Sequence, residues 1–366
     1  MSAPTVLIMA GGTGGHVFPA LALARELRAR SWDVVWLGTR RGLEARLVPA
    51  EQIPIEWLSV GGLRGKGLRT LISAPLQLAR ALLQALAVIR RRQPTLVVGL
   101  GGFAAGPGGV AAWLLRRPLL IHEQNAVAGF TNRCLAHFAG RVLTAFPDAF
   151  DPRLPVQLVG NPVRREIATL PPPAARFATR SGPIRLLVLG GSQGAARLNA
   201  IVPHALAALP QLALDVRHQA GERGLDAAQR GYAAAGVTAR VTAFIQDMAE
   251  AYGWADLVLC RAGALTVSEL AAAGVGALLV PFPAATDDHQ TRNAEYLVRE
   301  GAGVLIPDRE LTAERLAAQL SGLCAGRGRL LAMAERARLL ARPQATHALA
   351  DACEQLVRRR MSGAAA

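Results

Sequence analysis

The chain has 366 residues, 51% of them hydrophobic and 18% charged, and its 41 basic and 26 acidic side chains give a formal net charge of +15. That much apolar material excludes a disordered chain, and the length predicts two buried cores rather than one. Aromatics are only 5% and no basic stripe is interleaved with them, so nucleic acid is not expected as a partner.

Lys66 is the single lysine. An arginine excess of this kind fits codon bias, and its functional readings are phosphate-rich ligands or an anionic membrane surface. The first element is a strand, Thr5–Ala10, which runs directly into Gly11-Gly12-Thr13-Gly14-Gly15-His16. No basic residues precede that apolar run, so it reads as a strand and not as a signal peptide. A helix over Val17–Arg30 follows, with Pro19 in its first turn, where a missing N–H costs nothing. Further strands are expected at Asp33–Leu37, Leu96–Leu100, Leu119–His122 and Val142–Ala145. Apolar strands separated by helices predict an α/β domain with a parallel sheet covered on both faces.

Two segments of this half bear on membranes. Gln93–Leu115 is uncharged and long enough to span a bilayer, but the glycines and proline of Gly99–Gly109 predict a buried strand, a glycine loop and a helix start. Leu68–Ile89 is interrupted by Arg69, Pro75, Gln77 and Arg80. It reads either as a core helix or as part of a surface patch, with Ile72, Leu76 and Trp113 in the headgroup layer beside Arg69, Arg80, Arg116 and Arg117.

Prolines cluster over Pro162–Pro183 without periodicity, which predicts a linker. The same grammar then restarts. Ile184–Leu189 is a strand, Gly190–Gly194 a turn and Ala195–Leu209 a helix. Leu257–Cys260 precedes the turn Arg261–Ala264 and a helix through Ala273, and Gly276–Pro281 is another buried strand. Pro343–Arg360 has helical apolar spacing, and either caps the second half or crosses back to the first. The cysteines (Cys134, Cys260, Cys324, Cys353) lack C-x-x-C spacing, so neither a disulfide framework nor a zinc site is expected.

The chemistry is expected in the loops that follow strands. Gly11–His16 lets a backbone approach a ligand closely, with free N–H groups and the positive end of a helix dipole behind it. It does not match G-x-G-x-x-G, and no acidic residue ends the second strand, so a nicotinamide dehydrogenase is disfavoured. Gly190-Gly191-Ser192-Gln193-Gly194 repeats the device and adds a hydroxyl. The third loop leads to Glu269, which is placed either to accept hydrogen bonds from a ribose diol or simply to favour a helix start. Asp287-Asp288-His289-Gln290 follows a buried strand; consecutive residues rarely converge on one ion, so sugar hydroxyls are preferred over a metal. His122-Glu123-Gln124-Asn125 forms another polar rim.

Together these segments resemble the MurG family of glycosyltransferases. The resemblance rests on Gly11–Pro19, Gly101–Pro107, His122–Gly129, Gly160–Arg164, Gly190–Asn199, Arg261–Glu269 and Asp287–Thr291, all in family order. It implies a GT-B fold, in which two Rossmann-like domains with parallel sheets face across a cleft. The domains would be 1–162 with the C-terminal helix 343–360, for acceptor and membrane, and 163–342, for UDP-GlcNAc. Phe103, Ala105 and Ala262 stand where hydroxyl-bearing residues are frequent in the family.

The activity implied is inverting transfer of N-acetylglucosamine from UDP-GlcNAc to undecaprenyl-pyrophosphoryl-MurNAc-pentapeptide, at the cytoplasmic face of the inner membrane. Carried over by position, Ile245 meets uracil through its backbone and Glu269 holds the ribose hydroxyls. Ser192 and the helix start Ala264, Leu265, Thr266, Val267 and Ser268 face the pyrophosphate. Arg164 lies at the nucleotide, Gln290 and Asn125 at the donor sugar, and Thr13, Gly14 and Gly15 over donor and acceptor phosphates. No cofactor is required by this reading, and a divalent ion is left open. His16 is the candidate base, because histidine changes charge near neutral pH. The rival readings are another glycosyltransferase of the same fold, a sugar-nucleotide epimerase, and a non-catalytic scaffold.

Overall fold

The computed structural model describes residues 3–59, 68–191, 195–283 and 288–363. The chain divides into two compact units, Met1–Pro162 with Pro343–Ala366, and Val163–Arg342. Each is an α/β unit built on one all-parallel sheet.

In the first unit the strands are β1 (Thr5–Met9), β2 (Asp33–Gly38), β3 (Ile55–Trp57), β4 (Leu96–Gly99), β5 (Leu119–Glu123), β6 (Arg141–Thr144) and β7 (Val156–Leu158). Their order is β3-β2-β1-β4-β5-β6-β7, with Val6 registered against Val34 on one side and Leu96 on the other. Successive side chains point to opposite faces, and both faces are covered, so the strands read as unbroken apolar runs. Val6 and Ile8 pack with Leu23 and Leu27 of α1 (Gly14–Ala29), with Val48 of α2 (Glu44–Ala50), and with Leu349 and Cys353 of α15 (Ala345–Gly363). Leu7 and Met9 pack on the opposite face, with Val88 and Ile89 of α3 (Leu68–Arg92), Ala111 and Ala112 of α4 (Ala105–Leu114) and Leu135 of α5 (Phe130–Ala136).

The C-terminal helix therefore completes the first core. Arg30, the C-cap of α1, reaches Asp351 at 2.5 Å and Glu354 at 3.3 Å, and His347 lies 3.0 Å from Glu26. Half-exposed pairs of this kind contribute about 0–1 kcal/mol each. Burial of Leu349 and Cys353 at 0% exposure stabilises the docking more, by roughly 1.5–3 kcal/mol for a fully buried aliphatic side chain.

Helix α1 begins at Gly14, three residues before the start read from sequence, so Pro19 lies inside it. Proline cannot donate the bond to the Gly15 carbonyl that the ladder calls for. Packing of Val17, Ala20 and Leu21 against the sheet overrides the poor helix propensity of the two glycines and brings His16 into the first turn.

The second unit has β8 (Ile184–Leu189), β9 (Leu214–Gln219), β10 (Arg240–Thr242), β11 (Leu257–Cys260), β12 (Gly276–Leu279) and β13 (Gly303–Leu305), ordered β10-β9-β8-β11-β12-β13. Leu186, Val188, Leu257, Leu259 and Leu278 share a core with α8 (Ala196–Ala207), α13 (Ala313–Leu323) and α14 (Arg327–Leu339). The remaining helices are α6 (Arg165–Ala168), α7 (Pro173–Ala178), α9 (Leu225–Ala234), α10 (Met248–Trp254), α11 (Ala264–Ala273) and α12 (His289–Arg299).

The proline-rich stretch expected to be a linker instead folds as α6 and α7 and belongs to this unit. Its anchor is Arg176, only 9% exposed, which donates to the carbonyls of Tyr252, Ala273 and Gly274 at 3.1, 2.7 and 2.5 Å. A cation is favoured at these helix C-termini by the dipole. Burial still pushes the guanidinium down to about 10. Gly274 caps α11 with φ +63, and a Cβ there would stand 2.7 Å from the Pro173 ring, so a side chain at this position would be strained and would force its neighbours to shift.

In each sheet the strand order reverses beside the first strand of the unit, between β1 and β4 and between β8 and β11. Open parallel sheets bind ligands at such switch points, outside the carboxyl ends of the strands. The glycine loops lie there.

Candidate functional site

In the first unit, the loops after β1 and β4 meet backbone to backbone. A Cβ on Gly102 would stand 2.5 Å from the Gly11 carbonyl oxygen, and Gly12, Gly101 and Gly102 all have positive φ. The first loop is held from behind by Glu44, a fully buried carboxylate. Its Oε1 accepts from the Thr39 N–H at 3.0 Å and the Thr39 hydroxyl at 2.8 Å, and its Oε2 accepts from the Gly12 N–H at 2.9 Å. Thr13 is the exposed N-cap of α1, and Gly14 and Gly15 occupy the first turn, whose N–H groups have no partner within the helix.

His16 is partly buried, and its ring rests on Gly101, where a Cβ would come within 2.9 Å of Cε1 and Nδ1. Nδ1 lies 3.0 Å from Gln124 Oε1. Gln124 follows β5, and its Nε2 lies 3.2 Å from Nδ1 of His122, whose Nε2 is 2.9 Å from the Gly160 carbonyl oxygen. His122 is fully buried, and desolvation holds it below the usual histidine range. Its neighbour Glu123 accepts from the N–H and side-chain amide of Asn125 at 3.0 and 3.1 Å. Its other oxygen accepts from the Gly129 N–H at 3.1 Å and from Asn132 at 2.8 Å. Four donors on one buried carboxylate set the shape of the loop that carries Asn125.

In the second unit, Gly190-Gly191 follows β8 and is held by a carboxamide. Gln219 accepts from the Gly191 N–H at 2.9 Å and donates to the carbonyls of Gly191 at 3.1 Å and Ala243 at 3.0 Å. One buried side chain thus ties this loop to the segment carrying Ile245, which is partly buried just after β10. Ser192 lies outside the described residues, as does Asp287.

Helix α11 starts at the β11 end of the switch point, with Gly263 as N-cap and no side-chain cap. The N–H groups of Ala264, Leu265 and Thr266 are those a helix leaves unpaired, which suits an anion. Val267 already donates its N–H to Gly263, and the Ser268 hydroxyl donates back to the Ala264 carbonyl at 3.0 Å. Deeper in the helix, Glu269 is 6% exposed. Arg164 donates to its Oε1 at 2.8 and 3.2 Å, and the Tyr252 hydroxyl donates to its Oε2 at 3.1 Å. Burial pushes the Glu269 carboxyl above the usual range, against the opposing pull of Arg164. Gln290, in the first turn of α12, accepts from the Phe282 N–H at 2.9 Å.

The sequence singled out Arg164 and Glu269 separately, 105 positions apart, and the structure makes them an ion pair. It missed Glu44, Thr39, Gln219 and Tyr252. No local motif marks these, because Glu44 reaches Gly12, Gln219 reaches Gly191 and Tyr252 reaches Glu269, each well separated along the chain. Among the described residues, no three His, Cys, Asp or Glu side chains group as a metal site would require.

Comparison with known proteins gives two family models. Residues 6–144 match the glycosyltransferase family 28 N-terminal domain, and residues 185–356 match the family's C-terminal domain. The UDP-N-acetylglucosamine–N-acetylmuramyl-(pentapeptide) pyrophosphoryl-undecaprenol N-acetylglucosamine transferase of Nitrosococcus oceani is 58% identical over 349 residues, covering 95% of this chain and 97% of that protein. The enzyme of the same name from Alkalilimnicola ehrlichii is 59% identical over 349 residues, covering 95% and 98%. Among solved structures, Acinetobacter baumannii MurG superimposes with a TM-score of 0.86 at 42% identity, covering 96% of this chain and 99% of that one. The calicheamicin glycosyltransferase CalG4, at TM-score 0.67 and 19% identity over 98% and 99% of the two chains, shares the fold.

Proposed function

The chain belongs to glycosyltransferase family 28, in its MurG group, and from that membership we infer that it transfers N-acetylglucosamine from UDP-N-acetylglucosamine to N-acetylmuramyl-(pentapeptide) pyrophosphoryl-undecaprenol, a step of peptidoglycan biosynthesis. The observation that carries the donor half of this reading is the α11 start, with three unpaired N–H groups above a buried carboxylate. A diphosphate is stabilised by the first feature and a ribose diol by the second.

In this reading the second unit binds the nucleotide. Ile245 meets uracil through its backbone, Glu269 accepts from the ribose hydroxyls, and Arg164 holds Glu269 from the solvent side. Ser192 and the N–H groups of Ala264, Leu265 and Thr266 stabilise the charge that gathers on the leaving UDP, and this requires no proton donor. Gln290 and Asn125 contact the donor sugar, and Thr13, Gly14 and Gly15 lie over phosphate. His16 takes the proton of the acceptor hydroxyl as its oxygen attacks the anomeric carbon from the face opposite UDP, which inverts that centre.

The first unit also supplies a surface suited to the lipid acceptor. Leu76 on α3 is 76% exposed, and Trp113 and Leu114 on α4 are each 50% exposed, with the Trp113 ring 5.0 Å from that of Phe138. Arg80, Arg116 and Arg117 neighbour them in the chain, while the side chains of Ile72 and Arg69, expected in the same patch, lie outside those described. No helix among the described residues is long and apolar enough to cross a membrane. Apolar side chains flanked by arginines suit peripheral binding to the anionic cytoplasmic face of the inner membrane.

The test is UDP release from UDP-N-acetylglucosamine with and without the lipid-linked muramyl acceptor. Release that depends on the acceptor supports the assignment; the same rate without it means hydrolysis or another acceptor.

A further inference from the structure

We propose that His122 and Gln124 are positioning residues that lock His16 in the tautomer with hydrogen on Nδ1, so that its bare Nε2 is the atom that receives the acceptor's proton. The assignment rests on the base role given above to His16 and adds which nitrogen acts and what sets it.

The chain of bonds begins at a group that can only accept. The Gly160 carbonyl oxygen lies 2.9 Å from His122 Nε2, so that nitrogen carries the hydrogen. His122 is fully buried and its charged form is disfavoured by desolvation, although the neighbouring Glu123 charge pulls the other way. A neutral ring with hydrogen on Nε2 has a bare Nδ1, and this accepts from Gln124 Nε2 at 3.2 Å. The same amide nitrogen also lies 3.3 Å from the His122 carbonyl oxygen, a second acceptor. Both neighbours demand an N–H, which fixes the amide orientation and leaves oxygen on the side of His16. His16 Nδ1, 3.0 Å from that oxygen, must therefore donate.

Space reinforces the wiring. Gln124 is 1% exposed, so its amide is shielded from water that would offer other partners. Gly101 abuts the Nδ1 edge of the His16 ring, where any Cβ would be 2.9 Å away. The relay serves both charge states of His16. When the acceptor O–H bond breaks, its proton passes to Nε2 and the oxygen's electron pair forms the bond to the anomeric carbon. The bond from that carbon to the diphosphate oxygen breaks, and its pair leaves on UDP. The resulting imidazolium still donates Nδ1–H to Gln124, so the ring need not turn. A carboxamide orients the ring as the carboxylate of a hydrolase triad does, without placing a charge beside it.

The direct test is nuclear magnetic resonance of the full chain with isotope-labelled histidine, using His16→Gln to assign the His16 signals. The expected result at neutral pH is a protonated Nδ1 and a bare Nε2; hydrogen on Nε2 overturns the proposal. In Gln124→Met the signals should move to a tautomer mixture. Its kcat should fall by about 10- to 100-fold, with the UDP-N-acetylglucosamine KM within about twofold of wild type. An unchanged kcat in a folded Gln124→Met protein also overturns it. Gln124→Glu keeps an acceptor for Nδ1–H, and in its protonated form its hydroxyl supplies the hydrogen that His122 Nδ1 and carbonyl demand, so it should recover turnover relative to Gln124→Met, the more so at lower pH. The two readings separate cleanly. Near-normal turnover in His16→Ala with hydrogen on Nδ1 in the wild type removes the base role and leaves the tautomer assignment standing.

Discussion

Both units place a glycine loop at a sheet's switch point and hold it by one buried polar side chain, but the chemistry of the holder differs. In the first unit it is the carboxylate of Glu44 on the Gly12 N–H; in the second it is the carboxamide of Gln219 on the Gly191 N–H and carbonyl. A carboxylate accepts from three donors at once and brings a negative charge to the back of the loop. A carboxamide accepts and donates, and brings no charge. In the proposed reading the neutral holder sits directly behind the loop that faces the diphosphate, where an anion would repel it. In the same reading the charged holder sits behind the loop that carries the proposed base, His16. The two holders thus put a different charge behind matching loops of one repeated architecture.

That contrast can be broken most forcefully at His16. His16→Ala should lower kcat by about 100- to 10,000-fold, read as UDP release at saturating substrates. Near-normal turnover would leave the first loop a phosphate cradle like the second. The next largest effect is expected at Glu269. Glu269→Ala should raise the donor KM by about 10- to 100-fold, because it removes a charged acceptor and leaves Arg164 and Tyr252 without their shared partner. A loss confined to kcat would contradict ribose binding.

Exchanging the holders sharpens the comparison further. Gln219→Glu should weaken UDP binding, followed by calorimetric titration, by about tenfold, on the order of the 1–3 kcal/mol lost with an unsatisfied buried contact. Glu44→Gln should lower stability by a similar amount, measured by urea unfolding, while leaving UDP affinity intact. Equal effects of both variants on UDP would mean that the holders are interchangeable.

Acid should act on the second unit through His218, which is 1% exposed with its two nitrogens on Asn199 and Tyr232. Desolvation holds it at about 4 against an ordinary 6.5, so the unfolded chain binds the proton first. Stability is then fully present above 6.5 and lost as pH falls toward 4, a change on the order of 3 kcal/mol. Urea unfolding of the full chain at pH 7.5 and pH 5, followed by signals from the second unit, would check the sign. The smallest effect is at the membrane surface. Reversing Arg116 and Arg117 should weaken binding to anionic vesicles by about 1 kcal/mol per charge, and added salt should have the same effect in the wild type.

Most central strands were legible because burial on both faces writes an uninterrupted apolar run, as in Ile184–Leu189 and Leu257–Cys260; β9 was missed, because Asp215, Arg217 and His218 break its run. The edge strands β3, β7, β10 and β13 were not legible: each spans three residues and is only partly buried, so no run forms. Pro162–Pro183 misled because proline content reports on backbone freedom, whereas Arg176 at the helix ends decides where that segment docks. In the site, the loops and Glu269 were readable as motifs. Glu44, Gln219 and the ordering of His16 by Gln124 were not, since those bonds link residues 32, 28 and 108 positions apart.

The most direct test of this account is a crystal structure with UDP bound. The diphosphate is expected against the N–H groups of Ala264, Leu265 and Thr266, with the ribose hydroxyls on Glu269 and uracil at Ile245. Density for UDP at the Gly11–His16 loop instead, or none at α11 under saturating nucleotide, would contradict it.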